Sequence, residues 1–327
     1  MSAQSSVNEV RVTAAARLHL GFLDMNGGLG RSFGGLGLSV GGPATRLTLK
    51  RADETLVEGA ESERARRLLR KAQAALAPRS AHQLTIHQAI PAHSGLGSGT
   101  QLALAIATAL RRLEDLPLDP NADAALLERG ARSGLGAGLF RDGGFVVDGG
   151  RGASGLTPPV IARLPFPPDW RILLVMDNNA QGLNGELERE AFAALPAFSE
   201  AQAGDICRRV LMQALPALAE HDIAAFGEAI THIQIIVGDY FAPAQNGRRF
   251  TSARVEAIVA RLLREGATGG GQTSWGPTGF AFVASEAEAR RLAERARSDP
   301  AADGLNIEIV EGLAHGARIE AIYARIA

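Results

Sequence analysis

Pro91-Ala-His-Ser-Gly-Leu-Gly-Ser-Gly-Thr100 sets three glycines at alternate positions. They lie between an alternating stretch, Gln83–Ala89, and a nearly unbroken Leu/Ala/Ile run, Gln101–Leu113. The alternation reads as a strand and the apolar run as a buried helix. Gly95, Gly97 and Gly99 can take positive φ and bring the backbone close to a ligand. The first helical turn adds unpaired N–H groups and the positive end of the helix dipole. Ser98 and Thr100 add hydroxyls suited to a phosphate oxygen or a metal-bound water. This is equipment for gripping a phosphate with backbone. The plainer reading is a glycine turn with Ser98 or Thr100 as helix N-cap. No Lys follows the last glycine, so the spacing is neither a P-loop nor a dinucleotide fingerprint.

Three other stretches carry polar residues that could join it. Ala16–Arg31 places Arg17, His19, Asp24, Asn26 and Arg31 in an apolar frame ending in glycines. A lone histidine is as readily a satisfied core residue, but Arg17 and Asp24 beside His19 weigh towards a site. Arg129–Phe140 is a second glycine stretch, in which Arg132 and Ser133 are a second anion contact or merely a helix entry; Ser133–Gly138 holds no carboxylate, and the nearest to it along the chain is Asp142. Thr268–Gly279 is a third, with Gln272, Ser274 and Trp275. Together with Arg17, Arg31, Arg132 and Arg151 these stretches could surround a polyphosphate. Gln234, Gln245, Gln272 and Ser274 are polar wall positions, or simply partners for backbone groups.

The elements that must position these residues follow from pattern. Strands are expected over Val10–Ala16, Leu36–Val40 and Ala44–Arg51, and a helix with a basic, solvated face over Ser62–Leu76. A short helix follows at Asp119–Arg129. The Gly- and Pro-rich texture of Gly152–Pro168 marks a boundary between domains 1–163 and 164–327. Beyond it come a strand at Trp170–Asp177 and a long helical stretch, Asp205–Val237, broken or kinked at Pro216. A helix at Thr251–Glu265, a strand at Phe280–Ala284, a helix at Ser285–Arg297 and strands at Leu305–Val310 and Ala317–Ile322 complete the chain. At 327 residues and 46 % hydrophobic content the chain can bury two cores. A net charge of −1 gives no electrostatic case for nucleic acid or an anionic membrane. The single cysteine, Cys207, excludes an internal disulfide and a cysteine metal cluster. Met1–Glu9 is polar, without the apolar centre of a signal peptide, and no apolar run spans a bilayer. A cytoplasmic protein is expected. Only Lys50 and Lys71 are lysines, which argues against Schiff-base chemistry and leaves arginine for bidentate contacts.

Three glycine loops in this order resemble the GHMP superfamily of small-molecule kinases. Ala16–Gly27, Gly95-Leu-Gly-Ser-Gly-Thr-Gln101, Gly143-Gly-Phe-Val-Val-Asp-Gly149, Leu215–Ile223, Gln234–Gly238 and Gly271-Gln-Thr-Ser-Trp-Gly-Pro-Thr278 resemble its β-ribofuranosylaminobenzene 5′-phosphate synthase branch over roughly residues 10–325. Thr273 departs from the Ser expected there. The resemblance implies an α+β, GHMP-type two-domain fold: an N-terminal domain with a βαβ phosphate loop and a C-terminal ferredoxin-like domain. It implies a homodimeric, Mg2+-dependent pentosyltransferase of methanopterin biosynthesis. The enzyme would join phosphoribosyl diphosphate to 4-aminobenzoate or 4-hydroxybenzoate, releasing CO2 and diphosphate. On that reading Pro91, Gly95, Leu96, Gly97, Ser98, Gly99, Thr100 and Gln101, with Arg31, Arg132 and Ser133, bind substrate. Gln234, Gln245, Gln272, Ser274 and Trp275 join them, and Trp275 or Phe22 faces the aromatic ring. Arg17, His19 and Asp24 are the candidate catalytic residues, and Ser98 and Asp24 the candidate metal ligands. The competing readings are an ATP-dependent kinase of the same superfamily and a non-catalytic nucleotide-binding protein. The lack of a carboxylate in Ser133–Gly138 counts against the kinase.

Overall fold

Two long strands, β1 (Val7–Asp24) and β2 (Phe33–Ala52), run antiparallel for most of their length. Each is longer than its sequence pattern suggests. Bulges between Ala15 and Ala16 and between His19 and Gly21 interrupt the alternation without ending the pairing, so one strand reads as a strand plus a loop. The computed structural model describes residues 7–78, 80–180, 182, 190–192 and 194–323. Residues 1–6 of the polar start lie outside these.

The first sheet runs β11-β1-β2-β4-β3. β3 (Leu56–Gly59) and β4 (Ala81–Gln88) are parallel and joined by α1 (Ser62–Leu76), a βαβ unit. β5 (Phe145–Asp148) pairs with β2 and with β6 (Val160–Leu164). After β4 the central glycines lead into α2 (Ser98–Leu113), then α3 (Pro120–Leu126) and α4 (Leu135–Asp142). α2 buries Leu102–Leu110 without interruption, as its composition requires.

The second sheet has the order β10-β7-β9-β8, all antiparallel. Its strands are β7 (Arg171–Asp177), β8 (Gly269–Gln272), β9 (Thr278–Val283) and β10 (Leu305–Val310). Helices between β7 and β8 and between β9 and β10 complete the β-α-β-β-α-β course of a ferredoxin-like domain, and with the βαβ unit above they make the α+β architecture the resemblance implied. The first helices are α5 (Glu200–Arg209), α6 (Leu215–Glu220), α7 (Ile223–Phe241) and α8 (Ala253–Arg264); the last is α9 (Glu286–Arg297). β11 (Arg318–Tyr323) returns to the first sheet and pairs with β1. One apolar cluster takes Leu18 and Leu38 from the first sheet and Leu174, Phe280 and Phe226 from the second half.

Two expectations are corrected. Pro216 does not break the helical stretch, because Val210–Ala214 form a π-turn and α6 begins with the proline in its first turn, where no N–H is needed. The break comes at His221, in the left-handed conformation, and Asp222 caps α7 through the Ala225 N–H. Gly269–Gly271 form β8 instead of a loop, and the glycines serve close packing. A Cβ on Gly227 of α7 would collide with the Thr268 carbonyl, and one on Gly271 with the Gln234 side chain.

Gly227→Ala is therefore expected to lower stability by about 1–3 kcal/mol through overpacking. Gly204→Ala, in α5 with nothing within 4 Å of the added methyl, should be neutral or stabilising. Urea unfolding midpoints at unchanged slope would show the contrast.

Candidate active site

Where the two sheets meet, backbone touches backbone. A Cβ on Gly95 (φ 81°) would lie 2.8 Å from the Gly276 Cα, so neither position tolerates a side chain. The Thr273 hydroxyl pins this contact. It donates to the Gly95 carbonyl at 3.0 Å and accepts the His19 N–H at 2.9 Å, and Thr273 itself is fully buried. Arg17 adds a backbone bond to the Leu96 carbonyl and a 2.7 Å bond from Nη1 to the Gly95 carbonyl. The departure from serine at 273 thus sits at a junction of β1, the central loop and the turn after β8.

The central loop enters α2 three residues earlier than its apolar run suggests. Gly97, left-handed with φ 81°, is the N-cap, so neither Ser98 nor Thr100 caps the helix. The Ser98 and Gly99 N–H groups precede the first α-helical bond, Gln101 N–H to the Gly97 carbonyl, and face a cleft of about 350 Å³. Arg17, Arg64, Arg129 and Arg132 line that cleft, with Ser98, Thr100 and Ser133. Among the described residues its one lining carboxylate, Glu128, is 84 % exposed and paired with Lys71 at 2.8 Å. The Arg129 Nε is buried without a hydrogen-bond partner, and burial together with the neighbouring Arg64 charge lowers its pKa. Arg64, at the start of a helix read as solvated, and Arg129 are the residues that sequence reasoning missed. The signal for Arg129 was its place at the head of the second glycine stretch.

A narrower inner pocket adjoins the cleft. The two share His19, Phe22, Ser274 and Trp275. His19 is 5 % exposed, and its Nε2 has no partner. Burial, then the charges of Arg17 and Arg132, push its pKa down to about 3, so the imidazole is neutral. Trp275 is likewise buried with an unpartnered Nε1. Phe192 stacks on Trp275 at 4.9 Å, and the Arg132 guanidinium lies 5.1 Å over the Phe192 ring. The inner cavity is about 20 Å³, room for a water, so a benzoate ring enters only if these aromatic walls shift.

The glutamines frame this pocket by satisfying other groups. Gln234 accepts the Gln272 N–H and donates to the Leu20 carbonyl. Gln272 accepts the Thr251 N–H and donates to Gln245 and to the Ser274 carbonyl. Gln245 donates to the Arg248 and Arg249 carbonyls. Gln101 is buried and donates to the Gly136 carbonyl, Leu96 is buried in the core, and the Pro91 carbonyl accepts the Ser94 hydroxyl. Three residues stand apart from the cleft lining. Asp24 accepts the Asn26 and Gly27 N–H groups and closes its own turn. Arg31 donates to the Gly149 and Gly150 carbonyls, and Arg151 bridges to Ser32 through backbone.

The nearest carboxylate in space to Ser133 is not Asp142, which pairs with Arg141. It is Asp148, completely buried, whose Oδ2 accepts the Ser133 hydroxyl at 2.8 Å and the Gly134 N–H at 3.2 Å. Burial raises its pKa against these hydrogen bonds. It does not line the cleft, and it fixes the entry to α4. No cluster of three or more His, Cys, Asp or Glu side chains suited to a metal occurs among the described residues.

The family models for the GHMP kinase N-terminal domain and the GHMP kinase C-terminal domain match residues 62–141 and 214–302. The structure is similar to homoserine kinase from Cytophaga hutchinsonii, with a TM-score of 0.69 at 18 % identity over 98 % of this chain and 100 % of that one. It is also similar to a mevalonate kinase, with a TM-score of 0.67 at 13 % identity over 92 % and 98 %. At these identities the likeness shows the fold alone. Two relatives named beta-ribofuranosylphenol 5′-phosphate synthase are nearer in sequence. That of Methanothermobacter thermautotrophicus is 31 % identical over 85 % of this chain and 89 % of its own. That of Archaeoglobus fulgidus is 34 % identical over 69 % and 75 %. The glycine-pinned cleft is therefore that of a GHMP-fold protein, and the chain belongs to the beta-ribofuranosylphenol 5′-phosphate synthase family.

Proposed function

We propose that the protein is a decarboxylating pentosyltransferase that joins phosphoribosyl diphosphate to 4-hydroxybenzoate or 4-aminobenzoate. One observation carries this reading: a cleft lined by four arginines opens at His19, Phe22, Ser274 and Trp275 onto a narrower aromatic pocket, whose lining Arg249 is paired with Asp239. The donor's phosphates suit the first compartment and the acceptor's ring the second, so the ribose C1 lies at their junction. The bond from C1 to diphosphate breaks, and the ring carbon bearing the carboxylate attacks C1. The carbon–carbon bond to CO2 then breaks and returns its electron pair to the ring. No proton leaves that carbon, so no base is required. A kinase would need a carboxylate beside the incoming hydroxyl. Among the described residues Glu128 is the one carboxylate lining the cleft, and Lys71 holds it.

Arg17 and Arg132 lie beside His19 and suit the acceptor's carboxylate or the 5′-phosphate, and the neutral His19 adds no further charge there. The N–H groups at the start of α2 suit the departing diphosphate, stabilising charge as it develops. Mg2+ is part of the reading, and the donor set fits a cation carried largely by the substrate's own oxygens. Ser98 would hold it from the protein side, and the ion would neutralise the leaving group. Asp24, committed to its own turn, is not near enough to the cleft lining to complete such a site. The same reading includes a cytoplasmic homodimer, for which the exposed Leu211 and Met212 offer an apolar contact. No helix among the described residues is long and apolar enough to cross a membrane.

Incubation with phosphoribosyl diphosphate, Mg2+ and either acid labelled in its carboxyl group should release labelled CO2. No release, with ADP formed from ATP and a small alcohol instead, would sink the assignment. Thr273→Val should unpair the His19 N–H, at about 1–3 kcal/mol, and leave the Gly95 carbonyl with the Arg17 bond alone. The thermal midpoint and kcat/KM should fall together, with Thr273→Ser close to the parent. The depressed His19 pKa also sets a sign. The unfolded imidazole protonates below its ordinary value of 6.5 while the folded one stays neutral to about 3. Its contribution to stability is therefore present above that ordinary value and is lost as the pH falls towards 3. His82, also held low by burial, acts in the same direction. His19→Gln should flatten the acid side of a stability-versus-pH curve, and an unchanged slope would contradict the neutral imidazole.

A further inference from the structure

We infer that Arg64 and Arg129 form the far half of the diphosphate subsite, so that the leaving group lies across the start of α2. One phosphate then sits on the N–H groups of Ser98 and Gly99 and the other between the two guanidiniums. This rests on the reaction proposed above and names which cations hold its leaving group.

The geometry divides the four arginines into two pairs. Arg17 donates to the Gly95 carbonyl and Arg132 lies over Phe192, so both belong to the side facing the aromatic pocket. Arg64 and Arg129 lie on the other side, over the first turn of α2. A Cβ on Gly99 would run into the Arg64 Nη2 and come within 3.5 Å of the Arg129 Nη1. Glycine at 99 therefore leaves room for two guanidiniums above the helix start. They are like charges held close. Arg64 meets Glu61 only at 3.7 Å, and the Glu128 carboxylate beside Arg129 is taken by Lys71. Among the described residues no carboxylate bridges the pair, and the buried Arg129 Nε has no hydrogen-bond partner there. Two cations beside unpaired helix N–H groups repel one another until a multiply charged anion spans them. A diphosphate carries two phosphate groups for these two seats, whereas orthophosphate fills only one. His19 and Trp275, each more than nine-tenths buried with an unpartnered ring nitrogen, line the same cleft from the acceptor side, which marks it as built for a ligand.

The test is calorimetric binding of inorganic diphosphate with Mg2+, which requires no turnover. Arg64→Ala and Arg129→Ala should each weaken binding roughly tenfold, and the double variant on the order of a hundredfold. Orthophosphate binding should change much less. Arg70→Ala removes the same charge from an exposed position of α1 and should leave diphosphate affinity within about twofold, as expected for a screened surface charge. In turnover, KM for phosphoribosyl diphosphate should rise while KM for the aromatic acid stays put. Arg64→Gln supplies the measurement if Arg129→Ala does not fold, since the Arg64 guanidinium is surface-accessible. Wild-type affinity in the double variant, an equal loss in Arg70→Ala, or no diphosphate binding by the parent protein would each overturn the inference. Loss of diphosphate binding in the variants of a protein that releases no CO2 would uphold the subsite and remove the reaction.

Discussion

The site rests on one buried hydroxyl. Thr273 Oγ1 holds the Gly95 carbonyl and the His19 N–H, and so fixes the two backbones on which every other group in the cleft is mounted. Gly95 and Gly276 approach so closely that neither can carry a side chain, and Arg17 braces the same carbonyl from the other side. Buried hydrogen bonds of this kind contribute modestly when formed and cost more when half-broken. Three segments remote in sequence therefore meet with little freedom to slide, which is what placing a reactive carbon between two substrates demands.

Charge is then distributed on that frame with little waste. Many of the protein's arginines are spent in ordinary pairs, such as Arg111 with Asp123 and Arg254 with Asp177. The cleft keeps four together against, among the described residues, a single carboxylate that is already engaged. Beside them the imidazole of His19 stays uncharged because burial and two guanidiniums oppose its protonation. The result is a steep change from cationic to neutral across a few side chains, one face for a polyanion and the other for a ring. Asp148 shows the reverse economy: a buried carboxylate used to hold the entry of α4 by the Ser133 hydroxyl and the Gly134 N–H.

The strand–glycine–helix unit and the places of Gly97, Ser98 and Trp275 in the cleft lining were legible because local pattern encodes them. What was not legible depends on tertiary placement. Arg64 looks like any solvated helix arginine until α1 is packed beside the start of α2. Arg31 and Asp24 look like site residues until their carbonyl and N–H partners are seen. The glycines of β8 look like a loop because close helix packing and turn geometry call for the same residue. The glutamines read as substrate contacts because nothing in sequence shows that each is saturated by its neighbours. Thr273 was noticed only as a departure, and its weight comes from two acceptors and donors more than 150 residues away.

The pairing of β11 with β1 has a consequence for synthesis on the ribosome. Until the last strand emerges, Val7–Thr13 offers an open, strongly alternating edge to any other nascent chain. That border stays open until β11 is made. Charged Glu9 and Arg11, paired at 2.7 Å, interrupt its apolar run, as residues that blunt an edge do.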